Sequence, residues 1–194
     1  TRGGWNTGAN INYTSGLFDA YANIGYRKRK GKGGSMSEQH YLNTNTYQNY
    51  ESESRNGGGN LFSRAGITWH MTKKDDLSLS GMMMHGKRDD WRTTPYHYGT
   101  IGAPDDTYQQ LRYNSGKGNS HMYHGELDYT HNFSDNHKLD MNLSFGRWKS
   151  DNDNYYQDSI WYLDDRLRNT EYIYQYRPSH VNNRSWGAKI DYEN

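Results

Sequence analysis

The sequence has no cysteine, only three prolines and no apolar run longer than the four residues Ile160-Trp161-Tyr162-Leu163. Each absence excludes something. Without cysteine there is no disulfide framework, no thiolate metal site and no thiol nucleophile. A membrane-crossing helix needs about 20 apolar residues, so none is expected. Charge of one sign is also lacking: 23 Lys and Arg stand against 22 Asp and Glu, and a nucleic-acid partner is not expected. No basic-then-apolar leader opens the chain at Thr1-Arg2-Gly3-Gly4, so it reads as a mature or internal stretch of something longer. Only 31% of the 194 residues are apolar, too few at first sight to offset the entropy of ordering a compact domain.

What is present contradicts disorder. The chain carries 19 Tyr, 6 Trp, 4 Phe and 21 Gly, whereas disordered chains are poor in aromatics and rich in proline. Helical periodicity is nearly absent and strict alternation recurs, which is the pattern of a strand with one apolar face. Trp5, Thr7, Ala9, Ile11 and Tyr13 share one face. After Thr14-Ser15-Gly16 the pattern returns with Phe18, Ala20, Ala22, Ile24 and Tyr26, which predicts a hairpin. A second hairpin runs through Leu61, Ser63, Ala65, Ile67 and Trp69, turns at Thr72-Lys73-Lys74-Asp75-Asp76, and returns through Leu77, Leu79, Gly81 and Met83. A third has Tyr123, Gly125, Leu127 and Tyr129, the turn Ser134-Asp135-Asn136-His137, then Leu139, Met141, Leu143 and Phe145. A seventh strand holds Trp186, Ala188, Ile190 and Tyr192. The fold class is therefore all-β.

Between these hairpins lie Arg27–Gly59, Gly86–Gly118 and Lys149–Asn183, all at the same end and read as long loops. The third is expected to hold a short strand pair of its own around Tyr172, Tyr174 and Tyr176. Long loops at one end with tight turns at the other match an outer-membrane barrel, as do strands of nine or ten residues covering a band about 25 Å tall. None of the 31 apolar-face residues named above is Asp, Glu, Lys or Arg, although 23% of the chain is charged. The opposite face carries Asp19, Arg64, Glu126, Asp128, Asp140, Lys189, Asp191 and Glu193, which suits a wet lumen. Tyr13, Phe18, Trp69, Phe133 and Tyr192 at the turn end, and Trp5, Tyr26, Tyr123 and Trp186 at the other, fit two interfacial aromatic girdles. Arg147 and Trp148 break the alternation, which predicts either a bulge or the exit of the sixth strand from the membrane.

Three stretches carry a family resemblance: Glu126-Leu127-Asp128-Tyr129-Thr130-His131-Asn132-Phe133, Lys138-Leu139-Asp140 running to Ser150-Asp151-Asn152-Asp153, and Trp186-Gly187-Ala188-Lys189-Ile190-Asp191-Tyr192. In these the chain resembles the barrel portion of Bacteroidetes-type TonB-dependent outer-membrane receptors. The resemblance implies a transmembrane antiparallel up-and-down β-barrel of 22 strands, of which residues 1–194 supply about seven as an internal fragment. It also implies outer-membrane lipid around the wall, an N-terminal plug domain and a TonB complex as partners outside this chain, and energised import of a scarce ligand; the acids of the polar face are then expected to meet basic side chains of that plug. A passive porin or structural barrel segment shares every strand feature. A soluble, tyrosine-rich β-sandwich that binds carbohydrate is the reading from a different class.

No catalytic constellation emerges, so neither enzyme activity nor a cofactor is expected. His121-Met122-Tyr123-His124 has an i, i+3 spacing, but on a strand those side chains point to opposite faces and cannot share a metal. Gly31-Lys32-Gly33-Gly34 and Gly57-Gly58-Gly59-Asn60 lack the phosphate-loop pattern and read as flexible loop ends, and Asp164-Asp165 as solvated charge. The candidate ligand contacts are aromatic residues of the long segments: Trp91, Tyr96, His97, Tyr98, Tyr108, Tyr155, Tyr156 and Trp161. Aromatics beside Asn, Asp and Arg suit small molecules, peptides or glycans.

Overall fold

A computed structural model describes residues 2–103, 105–134, 136–162 and 170–193. These form one open sheet of seven antiparallel strands in simple up-and-down order: β1 (Arg2–Thr14), β2 (Phe18–Tyr41), β3 (Thr46–His70), β4 (Asp75–Thr100), β5 (Asp106–Ser134), β6 (His137–Tyr162) and β7 (Thr170–Glu193). Each strand pairs only with its sequence neighbours. The sheet is not curled closed. The Asp164-Asp165 pair and Asp135 of the third turn lie outside the described residues.

The turns fall where alternation predicts them. Ser15 closes the first: its hydroxyl accepts the Phe18 amide at 3.0 Å and its own amide donates to the Phe18 carbonyl at 2.8 Å. Thr72 does the same at the second, accepting the Lys74 amide at 3.1 Å. These side-chain acceptors fix the register by holding the turn backbone in place.

The described residues of the three segments expected as long loops are mostly strand, joined by short turns. Arg27–Gly59 continues β2 to Tyr41, turns over Leu42–Asn45 and returns as β3; Gly86–Gly118 continues β4 to Thr100 and returns from Asp106 as β5; Tyr172, Tyr174 and Tyr176 belong to one long β7 rather than a local pair. Strands of 24 to 29 residues replace the expected nine or ten for β2 to β7. Alternation detects a strand only where one face is apolar. Past Tyr26 both faces are polar, and the backbone ladder, which needs no particular side chain, simply continues. The tips need left-handed backbone, supplied by Asn45 (φ 53°) and Gly102 (φ 85°).

The glycine clusters are also ladder residues rather than flexible loop ends. Lys30 pairs with Gly57 and Gly31 with Asn56, and a Cβ at Gly58 would collide with the Lys87 carbonyl. Pro95 sits inside β4, and the β3–β4 pairing skips Thr94 and Pro95 without changing register, as a residue with no N–H requires. Arg147 and Trp148 sit in unbroken ladders, so the bulge reading is wrong there. The irregularities lie instead at Tyr98/Gly99 and Asn132/Ser134.

Register places all 31 predicted apolar-face residues on one face. A representative row runs Ala20, Ile67, Leu79, Leu127, Leu143, Ala188, and the next Phe18, Trp69, Leu77, Tyr129, Met141, Ile190. Cross-strand aromatic pairs tie it together: Trp5 with Tyr26 at 5.2 Å, Phe18 with Trp69 at 6.1 Å, Phe145 with Trp186 at 4.6 Å. Among the described residues nothing covers this face: Trp186 is 80% exposed, Ile190 66% and Leu79 58%. The most buried side chains among the described residues are polar, Ser52 at 2%, Thr94 at 3% and Asp158 at 4%, which inverts the arrangement of a soluble domain.

The hairpin tips are staggered. The row through Asp19, Thr68, Ser78, Asp128 and Asn142 lies one residue past the start of β2 at Phe18, three past the start of β4 at Asp75 and five past the start of β6 at His137. Each hairpin thus reaches two residues further than the one before it.

Candidate functional site

On the face opposite the apolar band, near the far tips, parity brings five tyrosines into one chain of rings. Tyr50 lies 5.2 Å from Tyr96, Tyr96 is 6.0 Å from Tyr98, Tyr98 stacks on Tyr108 at 4.2 Å, and Tyr108 is 5.8 Å from Tyr162. The spacing follows from the ladder, which places Tyr50 opposite Tyr96 and Tyr98 opposite Tyr108 and Tyr162. Burial pushes the Tyr98 phenol up to about 12, so it stays a neutral donor, and it donates to Gln110 Oε1 at 3.3 Å.

Beside the rings runs the row Ser35, Ser52, Thr94, Arg112 and Asp158, of which Ser52, Thr94 and Asp158 are buried. Arg112 grips Asp158 with two hydrogen bonds, Nε to Oδ1 at 2.8 Å and Nη2 to Oδ2 at 2.9 Å, while its guanidinium lies 5.9 Å from the Tyr96 ring centre. The Arg112 hydrogen bonds hold the Asp158 carboxyl below the usual range. The Asn114 carboxamide oxygen on this side is buried without a partner. Stacked phenols beside a fixed guanidinium–carboxylate pair and a free amide acceptor suit a ligand with flat or ring-shaped faces and hydroxyl or amide edges.

The other face of the same region holds a second cluster. At the Tyr98/Gly99 irregularity, Gly99 pairs with Asp106 although Tyr98 pairs with Tyr108, so β5 carries one extra residue. This bulge turns Asp106 away from the tyrosine face toward Tyr47, His97 and Gln109, whose side chains reach it at 2.5, 2.7 and 2.9 Å. Burial would raise the Asp106 pKa, but these hydrogen bonds outweigh it and hold the carboxyl below its ordinary value. Trp91 and His97 line one shallow hollow with Glu51, Glu53 and Tyr113; Tyr155 lines another with Tyr174 and Tyr176.

The eight expected contacts therefore divide. Tyr96, Tyr98 and Tyr108 come together. Tyr156 shares their face but stands apart, under the Arg177 guanidinium at 5.2 Å. Trp91, His97, Tyr155 and Trp161 are on the opposite face, and Trp161 lies opposite Gln109 at the far end of β6. Tyr50, Tyr162 and the Arg112–Asp158 pair join the site through register alone, which no local motif announces.

Elsewhere, His121 meets His85, Nδ1 to Nδ1 at 3.0 Å, whereas His124 sits against Glu126 at 2.9 Å on the other face. Among the described residues no cluster of three metal-ligating side chains is present. Five of the six acids expected to await a plug have partners in the wall itself: Asp19 meets His70, Glu126 His124, Asp128 the Asn142 amide, Asp140 Lys138, and Asp191 Lys189.

The chain matches no protein-family model and no curated protein. Among solved structures it is 7% identical, with a TM-score of 0.17, to a chain of the membrane pore complex of pneumolysin, aligned over 97% of this chain and 31% of that one. A likeness at that level carries no argument about fold or function.

Proposed function

We propose that these seven strands are part of the wall of an outer-membrane β-barrel of the TonB-dependent receptor kind, with the apolar face toward lipid and the tyrosine face toward a ligand passage. The observation that carries the reading is the exposed apolar band, continuous in register across all seven strands and free of charge between the Asp75–His131 row at the turn end and the Arg147–Arg184 row at the other. Lipid is the solvent in which such a face costs nothing, and a polar opposite face suits an aqueous lumen.

The stagger supports closure into a barrel. A shift of one residue per strand, at a rise of about 3.3 Å and a strand spacing of about 4.8 Å, tilts the strands by about 35° once the tips are level. Membrane barrels tilt by about 35–45°. On this reading Arg147 and Arg184, which face each other just past Phe145 and Trp186, mark the level at which β6 and β7 leave the hydrocarbon. The long polar hairpins stand outside the membrane, and the tyrosine ladder lines their inner side as the first contact for a ligand. The receptor assignment, with its plug, TonB coupling and import, rests on the three resembling stretches. A porin shares the wall and lacks the energised step.

The absence of cysteine allows a direct test of the wall. Single spin-labelled cysteines at Leu77, Ser78, Leu79 and Ser80 in lipid vesicles should alternate between oxygen-accessible (Leu77, Leu79) and water-accessible (Ser78, Ser80). Equal accessibility at Leu79 and Ser80 would sink the barrel reading.

A further inference from the structure

Immediately past the apolar band, on the same outward face, β2 and β4 carry a cluster of cations. Lys28, Lys30 and Lys32 follow Tyr26 at alternate positions of β2, Arg55 lies opposite Lys32 on β3, and Lys87 closes the row Trp5, Lys28, Gly59, Lys87. All five are exposed. None forms an ion pair among the described residues; Arg55 lies instead 5.3 Å from the Trp91 ring centre, and Asp89 is the one carboxylate in the rows of Lys28, Lys30 and Lys32 between β2 and β4. Gly57 and Gly59 on β3 place no side chain between Lys28 and Lys30 on one side and Lys87 on the other. The result is a trough with cationic walls, open backbone at Gly57, the Tyr26 phenol lying over Gly59, and the Trp5–Tyr26 aromatic pair at its lower edge.

We propose that this trough binds the phosphate groups of lipid headgroups in the leaflet that borders the tall hairpins. The inference rests on the outward orientation of the apolar face proposed above. Lys28 follows Tyr26 by two residues, about 7 Å along the strand, and Lys30 by about 13 Å. With a tilt of about 40° these heights fall at about 5 and 10 Å past the band, within or just beyond the interfacial layer of a bilayer. Lysine stems reach down along apolar surface while the ammonium stays at headgroup level. A leaflet lipid bearing phosphate on a sugar meets a slot between lysines that is open at Gly57 and carries the Tyr26 phenol over Gly59 as a surface for the ring.

The test uses the protein at its full natural length, reconstituted into phosphatidylcholine nanodiscs with fluorescent diphosphorylated lipid A, monophosphorylated lipid A or neutral lipid as probe. Retention should rank diphosphorylated above monophosphorylated above neutral, with at least tenfold between the extremes. Lys28→Gln, Lys30→Gln and Lys87→Gln together should remove that preference, and Asn119→Lys, which extends the row, should strengthen it severalfold. Arg27→Gln with Arg29→Gln removes two charges from the opposite face of the same strand and should leave it unchanged. A preference that survives the triple variant, or is lost equally in the Arg27/Arg29 variant, overturns the proposal. Failure of the unaltered protein to enter neutral phosphatidylcholine overturns the barrel reading itself, and only then is the headgroup site lost with it.

Discussion

The turn-side third and the tip-side two thirds of the same strands follow opposite rules. Up to Tyr26, Leu61, Met83, Tyr123, Phe145 and Trp186, one face is apolar and the other polar, with register enforced because a one-residue slip would exchange them. Beyond that level both faces are polar, yet the ladders continue to Tyr41, Thr100 and Tyr162. There the strands are held by cross-strand side-chain pairs: Ser35 to Ser52 at 2.7 Å, Arg112 to Asp158, Tyr98 on Tyr108. The difference shows two sources of order in one sheet. One depends on the solvent outside the molecule and the other on contacts within it, so the two halves should fail under different insults.

The largest expected effect separates them directly. Leu127→Arg and Ser115→Arg put the same charge on the same face of β5, the first in the Leu79–Leu127–Leu143 row and the second beside Trp91 and Tyr155. In vesicles, reversible urea unfolding should show Leu127→Arg destabilised by about 2–4 kcal/mol, as for arginine at the midplane of a barrel's lipid face. Ser115→Arg should change it by less than about 0.5 kcal/mol, the usual range at an exposed site. Equal costs would mean that no boundary divides the strand.

The second largest reverses the asymmetry. Arg112→Leu leaves Asp158, 4% exposed, without its bidentate partner in the tip half. The expected cost is about 1–2 kcal/mol, at the low end for a buried pair because the Arg112 side chain is 39% exposed. Adding Asp158→Asn should recover part of it, and amide exchange should locate the loosening beyond Lys117 on β5 while Leu127 and Leu143 keep their protection. A smaller change, Tyr98→Ala, removes the central ring of the ladder, worth about 0.5–1.5 kcal/mol per aromatic pair. Binding of a ligand that uses the tyrosine face should fall about tenfold with membrane insertion unchanged; a drop in both would make the ladder a structural element only.

The same division decides what was legible in the sequence. The turn-side half could be read residue by residue, because an uncharged parity at Ile67, Leu79, Leu127 and Leu143 leaves a period-two trace in the chain, and Ser15 and Thr72 mark the turns that set its register. The tip-side half left no such trace. Asn49, Glu51 and Glu53 alternate with Tyr50 and Ser52, polar on both parities, which looks like loop when judged by hydropathy. The ladder that makes it a strand consists of backbone bonds common to every sequence. For the same reason Tyr96, Tyr98 and Tyr108 could be named as candidates, whereas Tyr50, 46 residues before Tyr96 in the chain, could be joined to them only once the pairing was known. His97 and Tyr98 are neighbours in sequence but belong to different faces and different clusters, a separation that the loop reading could not contain.

The smallest effect distinguishes the two ways in which the tip half perturbs its tyrosines. Tyr98 and Tyr176 are both pushed up to about 12, Tyr98 first by burial between its neighbours and Tyr176 first by its hydrogen bond to Asp153. A folded pKa above the ordinary value near 10 means that the folded state favours the protonated phenol. The associated stability is fully present below about pH 10 and is lost as the pH rises through 12. Phenolate absorbance over that range should lose one late step in Tyr98→Phe and another in Tyr176→Phe. Asp153→Asn should return Tyr176 toward its ordinary range and leave Tyr98 late, since nothing on β6 near Asp153 touches the ladder. If Asp153→Asn moved both, the two faces of the extended hairpins would be coupled through the sheet, and the tyrosine ladder could not be treated as a surface of its own.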